Sequence, residues 1–276
     1  MALHLITVVG GRSTTIASML DHYLMMGVDE VLLYIHSESA EDPVVDKIKE
    51  VAASRGVPIA GHILGDWLEV QYRIVSSIAS SASSEWFIIA DEDEFHYYPL
   101  GIRTTIHDCL VGGYDYVQGC FVDRFHPSGR LVEIDPSDSP WSQFSIGSFF
   151  TLPVLGGHPL KVAVARGGVK LTNSGHHRAS TGIPCPISKH FIQVHHFKWT
   201  FGLLEYLTTR SRGLPRGAAV RKEDERFTRY FSERGGVIDI YDPTIMSAPC
   251  GETYPNWGQV ISICKRSLLK TEGSHV

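Results

Sequence analysis

Four consecutive carboxylates, Asp91, Glu92, Asp93 and Glu94, follow directly on the apolar run Trp86-Phe87-Ile88-Ile89-Ala90. The run reads as a buried strand, and carboxylates crowded at its end repel one another and resist losing water. A divalent cation relieves that repulsion. Mg²⁺ and Mn²⁺ take oxygen ligands and bind through one or two carboxylates together with substrate phosphates. Asp91 and Asp93, two residues apart, can reach one ion if the chain turns just beyond the strand. A solvated acidic turn is the plain alternative, but the carboxyl end of a hydrophobic strand is where open α/β sheets bind ligands.

Fourteen histidines are many for 276 residues. Two doublets, His176-His177 and His195-His196, fall near strand ends, and one member of each can face a given site because neighbouring strand residues point opposite ways. An imidazole beside two carboxylates makes a mixed nitrogen–oxygen set suited to Mn²⁺, and His196 is the candidate. By themselves the doublets read as structural.

The elements that must hold these groups alternate. Leu3 to Val9 is an apolar, β-branched strand, and Gly10-Gly11 turns the chain. Ile16, Met19, Leu20, Tyr23 and Leu24 recur at helical spacing, with Gly27 as the stop. Val31 to Ile35 is a second strand, and a helix starts at Asp42-Pro43 and closes at Gly56. Ile59 to Leu64 is a third strand, and Asp66-x-x-Glu69 caps a helix that runs to about residue 82. Strands alternating with helices build a parallel sheet with right-handed crossovers. No strand is followed by GxGxxG or GxxxxGK[ST], so neither dinucleotide fingerprint nor P-loop is present.

Beyond Pro99 the pattern changes. Ile102 to Leu110 reads as a helix, Tyr116 to Phe121 as a strand leading into Asp123-Arg124, and Ser128-Gly129 as a tight turn. Residues 135–160, rich in Pro, Ser, Gly and aromatics, predict a long loop of the kind that closes over substrates. Val162 to Ala165 and Val169 to Thr172 predict a hairpin about Gly167-Gly168. Phe191 to His196 reads as a strand and Thr200 to Arg210 as a helix. The charged stretch 215–234 predicts an exposed helix or a mobile lid.

Composition narrows the classes. A net charge of −5 argues against general nucleic-acid binding, which wants a basic face. No apolar run reaches the roughly 18 residues of a membrane span. The five cysteines lack CxxC spacing, as in a reduced cytoplasmic protein rather than a disulfide framework or zinc site.

Three motifs in order then resemble the GT-A class of nucleotide-sugar glycosyltransferases, in the branch related to families 2 and 92. They are D-x-D-E-F (Asp91, Asp93, Glu94, Phe95), D-R with a later glycine (Asp123, Arg124, Gly129), and H-[YF]-[RK] before a helix (His196, Phe197, Lys198). The likeness spans residues 3 to 212. It implies an α/β, Rossmann-like fold: a mixed, mostly parallel central sheet flanked by helices, with a smaller β-hairpin subregion. Residues 1–212 are the catalytic domain, with a nucleotide-binding half (1–98) and an acceptor half (99–212). Residues 213–276 are a basic helical segment and C-terminal extension packed on the same domain. The sequence departs from the pattern at Glu92, where a small or apolar residue is usual.

The resemblance implies transfer of a sugar from a nucleoside-diphosphate donor, a UDP-sugar foremost, to the hydroxyl of a small molecule or glycan, with Mn²⁺ or Mg²⁺. Asp93 is then the principal metal ligand, Asp91 holds the ribose or a metal-bound water, and His196 completes the shell. Val8, Val9, Gly10 and Arg12 flank the base, and His36 and Ser37 the ribose. Arg73 and Lys161 are candidates for the diphosphate or sugar. Asp123, Glu133 and Asp135 are candidates for the general base of an inverting reaction. The rival readings are a sugar nucleotidyltransferase, for which Gly10-Gly11-Arg12 is a thin phosphate loop, a metal-dependent phosphohydrolase, and a non-catalytic module that binds nucleotide or glycan.

Overall fold

Every residue of strand β1 (Leu3–Val9) is buried, as a central strand covered on both faces requires. The computed structural model describes residues 1–276 apart from 13, 82–83, 173–174, 216–217 and 273–276. β1 pairs in parallel with β2 (Glu30–Ser37) on one side and β4 (Trp86–Ile89) on the other, and β2 pairs in parallel with β3 (Ile59–Leu64). The resulting order, β3-β2-β1-β4, is that of a Rossmann-like half-sheet. β3 alternates half-buried and exposed residues, as an edge strand does.

Helices α1 (Ile16–Met25), α2 (Pro43–Ser54) and α3 (Trp67–Ser81) make the crossovers. α1 buries Ile16, Met19, Leu20 and Tyr23, the helically spaced set. α2 starts where the sequence signals it: the Asp42 carboxylate accepts from the Val44 N–H, and Pro43 takes the first turn, whose N–H has no helical partner anyway.

The second half of the sheet is mainly antiparallel. It comprises β5 (Glu94–Tyr97), β6 (Tyr116–Phe125), β7 (Ile146–Ser148), β8 (Leu160–Arg166), β9 (Ile192–His196) and β10 (Ala248–Pro249). β8 lies between β4 and β6, antiparallel to both. β9 runs parallel to β6 and antiparallel to β5. Helices α4 (Ile102–Gly112), α5 (Pro140–Gln143), α6 (Leu203–Gly213), α7 (Ala219–Glu233) and α8 (Trp257–Glu272) complete the chain. Beyond residue 212, β10 pairs with β7, so the C-terminal extension joins the same sheet. No helix among the described residues is long and apolar enough to cross a membrane.

Three expectations are corrected. The hairpin about Gly167-Gly168 does not form: β8 has six successive buried residues and is spent as a central strand, leaving Leu171 one isolated bridge to Ala179. Residues 135–160 do not form a loop over the cavity described below. They fold into α5, β7 and a π-helical turn at Thr151–Leu155. The charged helix α7 is no mobile lid, because Phe227, Tyr230 and Phe231 pack with Phe150, Trp199, Leu203 and Leu207 in one apolar cluster.

Candidate active site

A cavity of about 610 Å³ opens at the carboxyl ends of the parallel strands. That is a volume suited to a ligand of nucleotide size. Its floor is Gly10 after β1, His36 and Ser37 at the end of β2, Gly65 to Trp67 after β3, and Asp91 to Asp93 after β4. The floor is tight at Gly10, where a Cβ would lie 2.4 Å from the His36 carbonyl oxygen. His36 Nε2 donates to the Gly65 carbonyl at 2.7 Å, and its ring meets Trp67 edge-on at 5.1 Å. Ser37 Oγ donates to the Ser39 carbonyl and so accepts from His62 Nε2.

The acidic residues form the turn between β4 and β5, closed by the Glu94 N–H on the Asp91 carbonyl at 3.1 Å. Only part of this charge is free. Lys161, fully buried on β8, pairs with Glu94 and stands 3.6 Å from Asp91. Continuing the β4–β8 register beyond Ile88–Val164 brings Lys161 opposite Asp91. Asp91 Oδ1 also accepts from Gln71 of α3 at 2.7 Å. Burial pushes the Asp91 carboxyl upward, but Lys161 above all, with His196 and the Gln71 hydrogen bond, more than offsets this and holds it below the ordinary range. Burial draws Lys161 toward neutrality, and Asp91, Glu94 and Asp93 reverse the effect. Glu92, the departure from the motif, reaches back so that its carboxylate accepts from the Gly10 N–H at 3.2 Å.

Asp93 faces His196, with 3.6 Å between Oδ2 and Nε2. Sheet register makes this meeting, since His196 pairs with Glu94 on one side and Asp123 on the other. His196 Nδ1 donates to Asp123 Oδ1 at 3.3 Å, which aims Nε2 at Asp93. Burial lowers the His196 pKa, and Asp93 and Asp123 raise it by more.

The three sequence candidates for a general base do not line the cavity. Asp123 is fully buried and accepts from the N–H groups of Phe150 and Thr151, Thr151 Oγ1, Trp199 Nε1 and His196 Nδ1. Glu133 is exposed. Asp135, also exposed, caps a local turn by accepting from the N–H and hydroxyl of Ser137. Nor do Asp123 and Arg124 pair, because strand neighbours face opposite ways. Arg124 is fully buried and donates to the carbonyls of Phe144, Trp141, Cys250 and Gly251 and to His195 Nδ1. The D-R pair is a double structural clamp.

Phe197 and Lys198, directly after His196, and Leu203, Tyr206 and Arg210 of α6 also line the cavity. Arg12 lines it too, but its guanidinium donates to the carbonyls of Lys198, Thr200 and Phe201, so it ties the segment before α6 to the turn after β1. A triphosphate-binding loop needs that arginine free. Arg210 is likewise committed, to Asp224. Lys198 differs: among the described residues its ammonium has no ion-pair partner, only the Trp199 ring at 5.6 Å. Burial, reinforced by Arg210, lowers its pKa.

Of the remaining expected residues, Val8 and Val9 are core, and Arg73 is exposed on α3 away from the cavity. Lys161 lies beneath the cavity floor. Lys198, Trp67 and Tyr206 were not singled out as site residues. For Lys198 a signal existed, its place in the His-Phe-Lys element.

No three His, Cys, Asp or Glu side chains among the described residues converge on one point. Asp93 and His196 still suit a metal completed by a diphosphate. Two donors at right angles on an ion bonded at about 2.1 Å stand about 3 Å apart, close to the 3.6 Å seen. The Nδ1–H bond to Asp123 is the support a metal-binding imidazole usually has.

No family model matches the sequence, and no curated protein matches it. Among solved structures, S. aureus TarS 1–349 is similar over 84% of this chain and 72% of its own, at 8% identity and a TM-score of 0.39. The same protein in complex with UDP-GlcNAc gives 9% identity, 84% and 73% coverage and a TM-score of 0.37. HddC from Yersinia pseudotuberculosis gives 13% identity, 62% and 74% coverage and a TM-score of 0.28. All three scores lie below 0.5, so none of these likenesses assigns an activity to this chain.

Proposed function

We propose that the protein is a glycosyltransferase of the GT-A type, in the branch related to families 2 and 92. It moves a sugar from a nucleoside-diphosphate donor, a UDP-sugar foremost, to an acceptor hydroxyl on a small molecule or glycan. The observation that carries this reading is the meeting of a carboxylate–imidazole pair and a lysine ammonium in one cavity. The Asp93–His196 pair lines it together with Lys198, whose ammonium has no ion-pair partner among the described residues. A diphosphate is the group that uses both, its oxygens shared between a metal and a lysine.

The floor at Gly10, His36, Ser37 and Trp67 takes the nucleoside. Gly10 lets the chain pass close beneath it, and the half-buried Trp67 offers a ring face or edge. Asp93 and His196 hold Mn²⁺ or Mg²⁺, which when bound supplies Lewis-acid stabilisation of the leaving diphosphate. Lys198 donates to the same phosphate oxygens, and Asp123 keeps the His196 ring turned toward Asp93.

Thermal unfolding with Mn²⁺ and a panel of UDP-, GDP- and dTDP-sugars tests the reading. Donor at a hundred times its dissociation constant adds about 2.7 kcal/mol, a rise of roughly 5–10 °C for a chain of this size. The rise is expected for one nucleotide series, to vanish with chelator, and to be absent in Asp93→Ala. No rise with any diphosphate sugar overturns it.

A further inference from the structure

The charge accounting of the acidic turn is unusual in one respect. A crowded carboxylate cluster was expected to need a metal, yet a cation is already built in. Lys161 has no exposed surface, pairs with Glu94 and stands 3.6 Å from Asp91. Glu94 is itself buried and its carboxylate also accepts from the Asp91 N–H at 3.0 Å. Gln71 takes Asp91 Oδ1, and Gly10 takes Glu92. Of the four carboxylates, only Asp93 is left facing a neutral-capable ligand, His196. Beside the cluster, His176 is fully buried with neither ring nitrogen hydrogen-bonded. Burial and then Lys161 hold it neutral, as expected next to a resident cation.

We infer that Lys161 is a positioning residue that withholds Asp91 and Glu94 from the metal, so that the ion is captured together with the diphosphate and not before it. Two protein donors hold a divalent ion weakly, whereas phosphate oxygens complete the shell when nucleotide arrives. Freed from Lys161, Asp91, which lines the same cavity, would be available as a further donor beside Asp93 and His196. Lys161 also lets the turn fold without metal, because an ammonium in contact offsets the repulsion that the carboxylates otherwise bring. This role rests on the reading of Asp93 and His196 as the metal's seat, and its test does not depend on turnover.

The measurement is Mn²⁺ binding followed by electron paramagnetic resonance, without nucleotide and with UDP, for the wild type and Lys161→Met. The wild type is expected to bind Mn²⁺ alone weakly and at least tenfold more tightly with UDP. Lys161→Met is expected to bind Mn²⁺ alone at least tenfold more tightly than the wild type. Its melting temperature should fall by roughly 10 °C in chelator and recover with Mn²⁺, a metal dependence that a purely structural lysine does not create. Folded Lys161→Met that binds Mn²⁺ alone no better than the wild type overturns the inference, whatever UDP does. If Lys161→Met does not fold, Asp91→Asn decides. Unchanged affinity for Mn²⁺ with UDP supports the withheld Asp91, and a tenfold loss shows that Asp91 is a ligand and overturns it. A wild type that binds no sugar nucleotide defeats the proposed function separately, leaving the comparison on Mn²⁺ alone intact.

Discussion

Replacing Asp123 with asparagine separates a structural carboxylate from a catalytic one. The side chain has no exposed surface. Oδ2 accepts from the N–H groups of Phe150 and Thr151, while Oδ1 accepts from Trp199 Nε1 and His196 Nδ1. In Asp123→Asn one of these oxygens becomes an NH₂ group, whichever way the amide turns, and two buried donors then face a donor. Each unsatisfied buried group costs about 1–3 kcal/mol. The variant is therefore expected to lose about 2–6 kcal/mol, a drop of roughly 5–15 °C in melting temperature. If the amide turns toward His196, the imidazole loses the bond that aims Nε2 at Asp93, and Mn²⁺-dependent donor binding weakens as well. Thermal and guanidinium unfolding measure the first effect, and donor titration the second. A variant that melts within 2 °C of the wild type but loses a hundredfold or more in turnover would show that Asp123 is a general base.

Other expected outcomes follow from the same contacts. Gly10→Ala puts a Cβ 2.4 Å from the His36 carbonyl oxygen, and overpacking of this kind costs about 1–3 kcal/mol. An unchanged denaturant midpoint would mean that the β1–β2 approach relaxes freely. Arg124→Lys keeps the charge but loses the planar fork that serves four carbonyls. It should lower the melting temperature and expose residues 250–251 to proteolysis, and equal protease resistance would count against the clamp. Acid should unfold the protein early. Burial lowers the pKa of His22, His96, His158, His176, His177 and His195, with His177 near 4 and His176 near 3, while His196 alone is raised. A depressed histidine stays neutral in the fold while the unfolded chain takes up a proton near pH 6.5. Each buried ring therefore removes up to about 1.4 kcal/mol per pH unit below that point until its folded pKa is reached, and the half-exposed His158 less. His196, and Glu94, which burial raises to about 7, work in the opposite direction and are outnumbered. A flat stability profile between pH 6.5 and 4 would refute the neutral burial of these rings.

Much of the first hundred residues is legible because its signals are local. The apolar run 3–9, the helical spacing of Ile16, Met19, Leu20 and Tyr23, and Asp42-Pro43 each bias a short stretch of backbone. The resulting elements match the expected ones to within a few residues. The acidic turn was legible for the same reason, since an apolar strand running into carboxylates is a contiguous pattern. The local bias fails where packing decides. Val162 to Ala165 has the composition of a hairpin arm, but its two buried faces suit the space between β4 and β6, and the sheet claims it. Helix α7 reads as solvated by its charge, yet three aromatic residues on one face commit it to the core.

The sequence alone therefore determined the half-sheet, the end of that sheet at which the cavity opens, and which residue types stand there. Tertiary structure decided the state of each charge. Lys161 lies 67 residues from Glu94, Asp123 lies 73 from His196, and Arg12 lies 186 from Lys198. No local pattern encodes such pairs, because only the folding of the whole sheet brings them together. Burial then fixes which charges neutralise one another and which, like that of Lys198, have no ion-pair partner among the described residues.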